Sequence, residues 1–138
     1  MVVCFYIKKM NYYKSVLKKY TVFDGRAQRA EYWYFVLYNL IISIILNIIS
    51  FIIKDKINIL GVIYSLAVLL PGLAVAVRRL HDVGKSGWML FISLIPLVGT
   101  IWLIVLMVRD SEPLENKYGP NPKNNNSQPN IVQNSVNQ

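Results

Sequence analysis

Three long apolar stretches, residues 32–53, 57–77 and 88–108, organise this chain, and short polar segments separate them. They are 22, 21 and 21 residues long, and none contains Asp, Glu, Lys, Arg or His. As helices each would reach roughly 32 Å, the depth of a bilayer's hydrocarbon core. Lipid offers no hydrogen-bond partner to a bare backbone, so a segment that crosses it is helical. The pattern predicts an all-α integral membrane protein with three transmembrane helices. A soluble protein with three buried core helices is disfavoured, because such helices keep a polar face.

The flanking segments have a different texture. Over residues 10–20, Tyr13, Val16, Leu17 and Tyr20 recur at three- and four-residue spacing, while Lys14, Lys18 and Lys19 lie off that stripe. This predicts a short amphipathic helix lying in the headgroup layer ahead of the first span. Asp24-Gly25 marks a turn, with Asp24 as an N-cap and helix from Ala27 onward. Residues 10–31 thus form a basic segment on the cytoplasmic side, and residues 32–108 form one membrane domain. Residues 109–138 are a polar tail, rich in Asn, Gln and Ser and expected to be disordered from about 123.

Within the spans, Asn39, Ser43, Asn47 and Ser50 fall on one helical face and suit helix packing. The pairs Gly61/Ser65 and Gly72/Ala76 are small-xxx-small spacings that allow close helix approach. Pro71 and Pro96 interrupt the second and third spans and predict kinks there. Trp33 and Trp88 sit at span ends, where aromatic side chains favour the interface.

The net charge is +8, from 15 basic and 7 acidic residues. Ten basic residues precede span 1 or lie between spans 2 and 3, and five lie in the other connections. With three spans, this predicts a cytoplasmic N-terminus and a C-terminus outside. The basic surplus suits anionic headgroups, contacted by Lys14, Lys18, Lys19 and Lys85, better than nucleic acid. Cys4 is the only cysteine, so no internal disulfide forms.

Three helix ends gather Arg26, Arg29, Glu31, Arg78, Arg79, His81 and Asp82 at one membrane face. Glu31 is expected to pair with Arg78 or Arg79 across the first hairpin. His81 and Asp82 are neighbours, but helical neighbours diverge by about 100°, so they make a poor acid/base pair. No set of His, Cys and carboxylates has metal-ligand spacing, and no cofactor is expected. Gly84-Lys85-Ser86 resembles the end of a phosphate loop, but Arg79 stands where the first glycine would be.

The motifs Gly25-Arg26-Ala27-x-Arg29-x-Glu31-Tyr32-Trp33, Ser65-Leu66-Ala67-Val68-Leu69-Leu70-Pro71, Arg78-Arg79-Leu80-His81-Asp82-x-Gly84-Lys85-Ser86-Gly87-Trp88 and Ile95-Pro96-Leu97-Val98-Gly99 occur in order. With the closing Tyr118-Gly119-Pro120-Asn121-Pro122, they resemble the bacterial family called domain of unknown function 805, over about residues 10–122. The resemblance implies a small multi-pass bacterial inner-membrane protein and no particular activity. It also implies a start near Met10, which sets residues 1–9 apart as an extension outside the family pattern. The residues themselves favour a non-catalytic membrane module whose charged patch meets lipid headgroups, a protein partner or a second copy of the chain. The alternatives are an oligomeric transporter or channel for ions or small solutes, and a membrane enzyme acting on lipid phosphate.

Overall fold

The structure is a computed structural model that describes residues 2–55 and 57–124, with side chains from residue 10 onward. The expected disorder of the tail falls mostly on residues after 124, outside the described ones. The described residues form four α-helices and one 3₁₀ helix: α1 (Val2–Lys18), α2 (Arg29–Ile52), α3 (Ile59–Asp82), the 3₁₀ helix Gly87–Leu94 and α4 (Val98–Val108).

The two uncharged stretches 32–53 and 57–77 supply α2 and α3, each 24 residues and so roughly 36 Å long. They form a hairpin closed by a very short turn. Asp55 accepts hydrogen bonds from the Ile57 and Ile59 amides, and Asn58 caps α3 by accepting from Gly61 N at 3.2 Å. Only 11% of the most apolar window of α2 is buried by protein, and 22% of that of α3. A soluble core helix would be enclosed; these two leave Ile44, Ile48, Ile63 and Leu66 at least half exposed. The surface they present is hydrocarbon, as lipid requires.

Helix α1 runs through residues 10–18 as expected and extends back to Val2. It is keyed into the hairpin rather than lying free. Tyr12 stacks on Tyr34, Tyr13 packs on Phe35 and Tyr38, and Val16 is fully buried. Lys14, Lys18 and Lys19 point away, exposed. α2 starts at Arg29, later than the turn predicts, because Ala27 is drawn into an extended strap. Its amide donates to Arg78 O at 3.0 Å, and Gln28 becomes the N-cap.

The third stretch departs from expectation. Residues 88–108 do not make one continuous span. The 3₁₀ helix Gly87–Leu94 descends, the chain breaks at 95–97, and α4 returns. Pro96 sits at the break. Leu97 adopts φ 65°, ψ −69°, and Val98 N donates to Pro96 O at 2.8 Å, a tight γ-turn of the rarer, strained kind. The two arms press together: a Cβ on Gly99 would fall 1.7 Å from Ile92 O. Each arm is roughly 16 Å long, half of a bilayer core. The far end of α4 comes back to the near end of α2, where Trp33 Nε1 donates to Met107 O at 3.4 Å and Arg29 Nη1 to Val108 O at 3.2 Å. Residues 109–122 therefore lie beside residues 24–31, which corrects the assignment of the two ends to opposite faces.

Pro71 lies inside an α3 that continues unbroken to Asp82, and its ring is buried. The apolar core is concentrated at the charged end, in two clusters. One joins Val16, Ala27, Phe35 and Val75; the other joins Leu80, Leu106 and Met107. Gly72 faces Phe35, whose ring would be in ordinary contact, 3.7 Å, with an added Cβ, and Ala76 packs against the second cluster.

Replacing Gly99 tests the returning arm. Gly99→Ala should lower stability by about 1–3 kcal/mol, since the methyl must push the 3₁₀ backbone away. Thermal unfolding in mild detergent reads this; an unchanged midpoint would contradict the close approach of the two arms.

Candidate functional site

The last turns of α3 carry Arg78, Arg79, His81 and Asp82, all still helical and all buried. Helical geometry sends them in different directions. Arg79 and Asp82, three apart, share a face and bond to each other. Arg78 turns toward α2, where its Nη1 donates to Glu31 Oε1 at 3.1 Å. Ser15 of α1 donates to the same carboxylate oxygen at 3.4 Å, so this pair ties three helices together. Nε and Nη2 of Arg78 are buried without a partner among the described residues.

Asp82 is the centre of the cluster. Its Oδ1 accepts from Arg26 Nε at 3.0 Å, and its Oδ2 accepts from Arg79 Nη1 and from Ser111 Oγ at 2.5 Å. Arg26 uses all five of its N–H donors. Besides Asp82 Oδ1, they reach the carbonyls of Leu114 (2.8 Å), Gly119 (3.2 Å), Asp82 (3.3 Å) and Glu112 (2.7 Å). A guanidinium has five donors in a rigid fork, and an ammonium has three on a flexible stem. The Asp82 side chain is fully buried, and Arg26 and Arg79 have side-chain exposures of 1% and 0%. Burying such charges is costly, and the cost is offset because each meets an opposite charge and further hydrogen bonds.

The segment after α4 is thereby strapped onto the cluster. Arg79 also donates to the carbonyls of Met107 and Arg109. Gln28 Nε2 donates to Pro122 O at 2.7 Å, and Asn121 Nδ2 donates to Glu112 O at 3.0 Å. Asn116 Nδ2 reaches His81 O at 3.0 Å and closes a tight turn with Gly119, whose φ of 122° calls for glycine. Tyr118 then lies flat on His81, ring centroids 3.7 Å apart and planes 4° from parallel.

His81 bonds through Nδ1 to Gly25 O at 3.2 Å. A carbonyl only accepts, so Nδ1 carries the proton. His81 and Asp82 are not bonded to each other. Outside the cluster, Lys123 holds the exposed Asp110 carboxyl below the usual carboxylate range by hydrogen bonding to it. Among the described residues, no group of three His, Cys or carboxylates could hold a metal ion.

The polar residues within the spans meet one another. Asn39 donates to Phe35 O and accepts from Tyr64 at 2.5 Å. Asn47 donates to Ser43 O and accepts from Asn58 Nδ2 at 2.9 Å, and Ser50 Oγ donates to Asn58 Oδ1 at 2.8 Å. Ser65 is exposed and turns back to Val62 O, and Gly61 sits against the Asn58 side chain. Trp88 is 78% exposed and stacks on Phe91. Lys85 is half-buried at the turn before the 3₁₀ helix. Sequence reasoning missed Ser111, Tyr118 and the carbonyls of 112, 114 and 119, because their roles depend on the chain returning to the charged end.

A helical hairpin dressed in hydrocarbon, locked at one end by a buried ionic cluster, defines a helical membrane protein. Comparison with known proteins narrows this further. The family described as "protein of unknown function (DUF805)" matches residues 20–120, and the chain belongs to it. The chain is 42% identical over 114 residues to inner membrane protein YhaI of Escherichia coli (strain K12), covering 83% of this chain and 97% of that protein. It is 41% identical over 123 residues to inner membrane protein YhaH of the same strain, covering 83% and 98%. No solved structure matches it.

Asp82→Asn should cost about 3–5 kcal/mol, because two buried guanidinium groups lose their shared counter-charge. Arg26→Lys should also destabilise, since an ammonium cannot fill the five-donor role. Lys123→Ala, at an exposed pair, should leave the midpoint where it is. Thermal unfolding of the three variants checks this; an Asp82→Asn protein melting with the wild type would contradict the role given to the carboxylate.

Proposed function

We propose that the chain is a non-catalytic module of the inner membrane that spans the bilayer twice. Its charged end faces the cytoplasm, and its exposed lysines rest on anionic headgroups. The carrying observation is the closure of the Asp82 cluster: Arg26, Arg79, Asp82 and Ser111 bind one another and the strap, and are buried. Such groups build a scaffold rather than contact a substrate. The outward charge falls instead to Lys14 and Lys18 on α1, to Lys19 just past its end, and to Lys117, whose Nζ sits 4.9 Å above the Tyr118 ring.

The distribution of basic residues supports the orientation. From residue 14 to 123, eleven Lys and Arg belong to segments at the charged end, while Lys54 and Lys56 belong to the α2–α3 connection. Such an excess marks the cytoplasmic side. The Asn39 and Asn47 amides are occupied by neighbouring side chains and carbonyls, which supports a packing role for the stripe over a water-lined path.

The test is stability in nanodiscs of phosphatidylcholine with and without phosphatidylglycerol. Anionic lipid should raise the melting midpoint, with each lysine contributing about 1 kcal/mol near the surface. The gain should shrink in salt and in a variant carrying Lys14→Gln, Lys18→Gln and Lys19→Gln. Indifference to anionic lipid, or solute flux through proteoliposomes, would overturn the reading.

A further inference from the structure

A groove of about 800 Å³ runs along the outside of the charged end, between α3 and the descending 3₁₀ arm. Its α3 wall is Leu73, Val77 and His81, spaced four apart on one face. Its other wall is the arm, where Trp88, Phe91 and Leu94 stack at the three-residue repeat of a 3₁₀ helix. The groove is mostly apolar along its length, with Ser93 on its deeper wall, and carries His81, Ser86 and Tyr118 at its upper end.

Its dimensions fit one leaflet. From Leu73 to His81 is roughly 12 Å along α3, and the 3₁₀ arm is roughly 16 Å long. Half of a hydrocarbon core is roughly 15 Å. A lipid tail beside α3 would therefore run the length of the groove and place its headgroup beside His81.

The polar end holds an unused hydrogen-bond acceptor. His81 is 8% exposed as a residue, and Gly25 O fixes the ring proton on Nδ1. Nε2 has no partner among the described residues. In the neutral ring, the tautomer fixed by the Gly25 carbonyl presents Nε2 as an open lone pair. Lys117 Nζ, 4.9 Å from the centre of the Tyr118 ring, brings positive charge to this end, and Lys85 precedes Ser86 in the chain.

We propose that this groove binds one phospholipid of the cytoplasmic leaflet whose headgroup carries N–H donors, a primary ammonium above all. Its tail lies along Leu73, Val77 and Leu94, its ammonium donates to His81 Nε2, and its phosphate faces Lys85 and Lys117. The proposal rests on the membrane orientation proposed above but not on the lysine contacts of α1. Either can fail alone: one is read by headgroup selection, the other by dependence on anionic lipid.

Native mass spectrometry of the full chain, purified in mild detergent and titrated with lipids of identical tails, tests it. Phosphatidylethanolamine has N–H donors, and phosphatidylcholine, with three methyl groups on its nitrogen, has none. One phosphatidylethanolamine per chain should be held about tenfold or more tighter than phosphatidylcholine, as one hydrogen bond to a charged group implies. His81→Phe, which keeps a ring for Tyr118 to stack on, should abolish the preference while tail binding persists. Val77→Trp, which fills the groove without touching the ionic cluster, should remove the bound lipid of either kind. Equal retention of the two lipids, selection that survives His81→Phe, or a lipid-free dimer formed through the groove would each overturn the proposal.

Discussion

One buried carboxylate holds this structure together. Asp82 lies between two guanidinium groups that are far apart in the chain, Arg26 ahead of α2 and Arg79 one turn before it in α3, and it accepts from Ser111 beyond α4. Its partners come from the segments that must converge for the chain to close at one end. An unpaired ion here would be intolerable, so the cluster forms complete or not at all. That requirement selects one arrangement among the many ways apolar helices can lie together in lipid, where no hydrophobic force favours one helix contact over another.

The rest of the molecule obeys a different solvent. Away from the cluster, α2 and α3 bury little of themselves and meet mainly through Asn39–Tyr64, the Asn47–Asn58–Ser50 set and small residues such as Gly72. Their outward faces suit hydrocarbon. The arms at 87–108 reach only half as deep, and the irregular backbone at 95–97 stays narrow because Gly99 N bonds back to Ile95 O and Val98 N to Pro96 O. Each donor paired in this way is spared the cost of an unsatisfied amide in an apolar medium. Between the descending arm and α3 this geometry leaves a mostly apolar groove with His81, Ser86 and Tyr118 at its upper rim.

How much of this could be read from the chain depends on which residues carried it. Two of the three uncharged runs are membrane-length helices, as their length and composition predict. Glu31 can be paired on paper with Arg78 or Arg79, because all three lie at the same end of a short hairpin, and the structure selects Arg78. The third run misled, since hydropathy records that residues are apolar but not whether the chain continues or turns. Signals were present. Pro96 and Gly99 stand near the middle of the run, and Arg109, Lys117 and Lys123 follow it on what three spans would make the wrong side. Without the returning arm, residues 109–122 read from sequence only as a polar tail. The arginines and Asp82 then form a charged patch at the membrane face rather than an interior, and the stacking of Tyr118 on His81 has no sequence signal of its own.

The return of the last apolar segment decides whether the Asp82 cluster can exist, and membrane sidedness reads it directly. In a Cys4→Ser background, single cysteines at Lys54→Cys and Lys117→Cys can be challenged with a membrane-impermeant maleimide in intact spheroplasts. Position 54 should react, and position 117 should react only after the membrane is permeabilised. Labelling of both positions in intact spheroplasts would mean that the third stretch crosses the bilayer, and the buried cluster with its strap could not form.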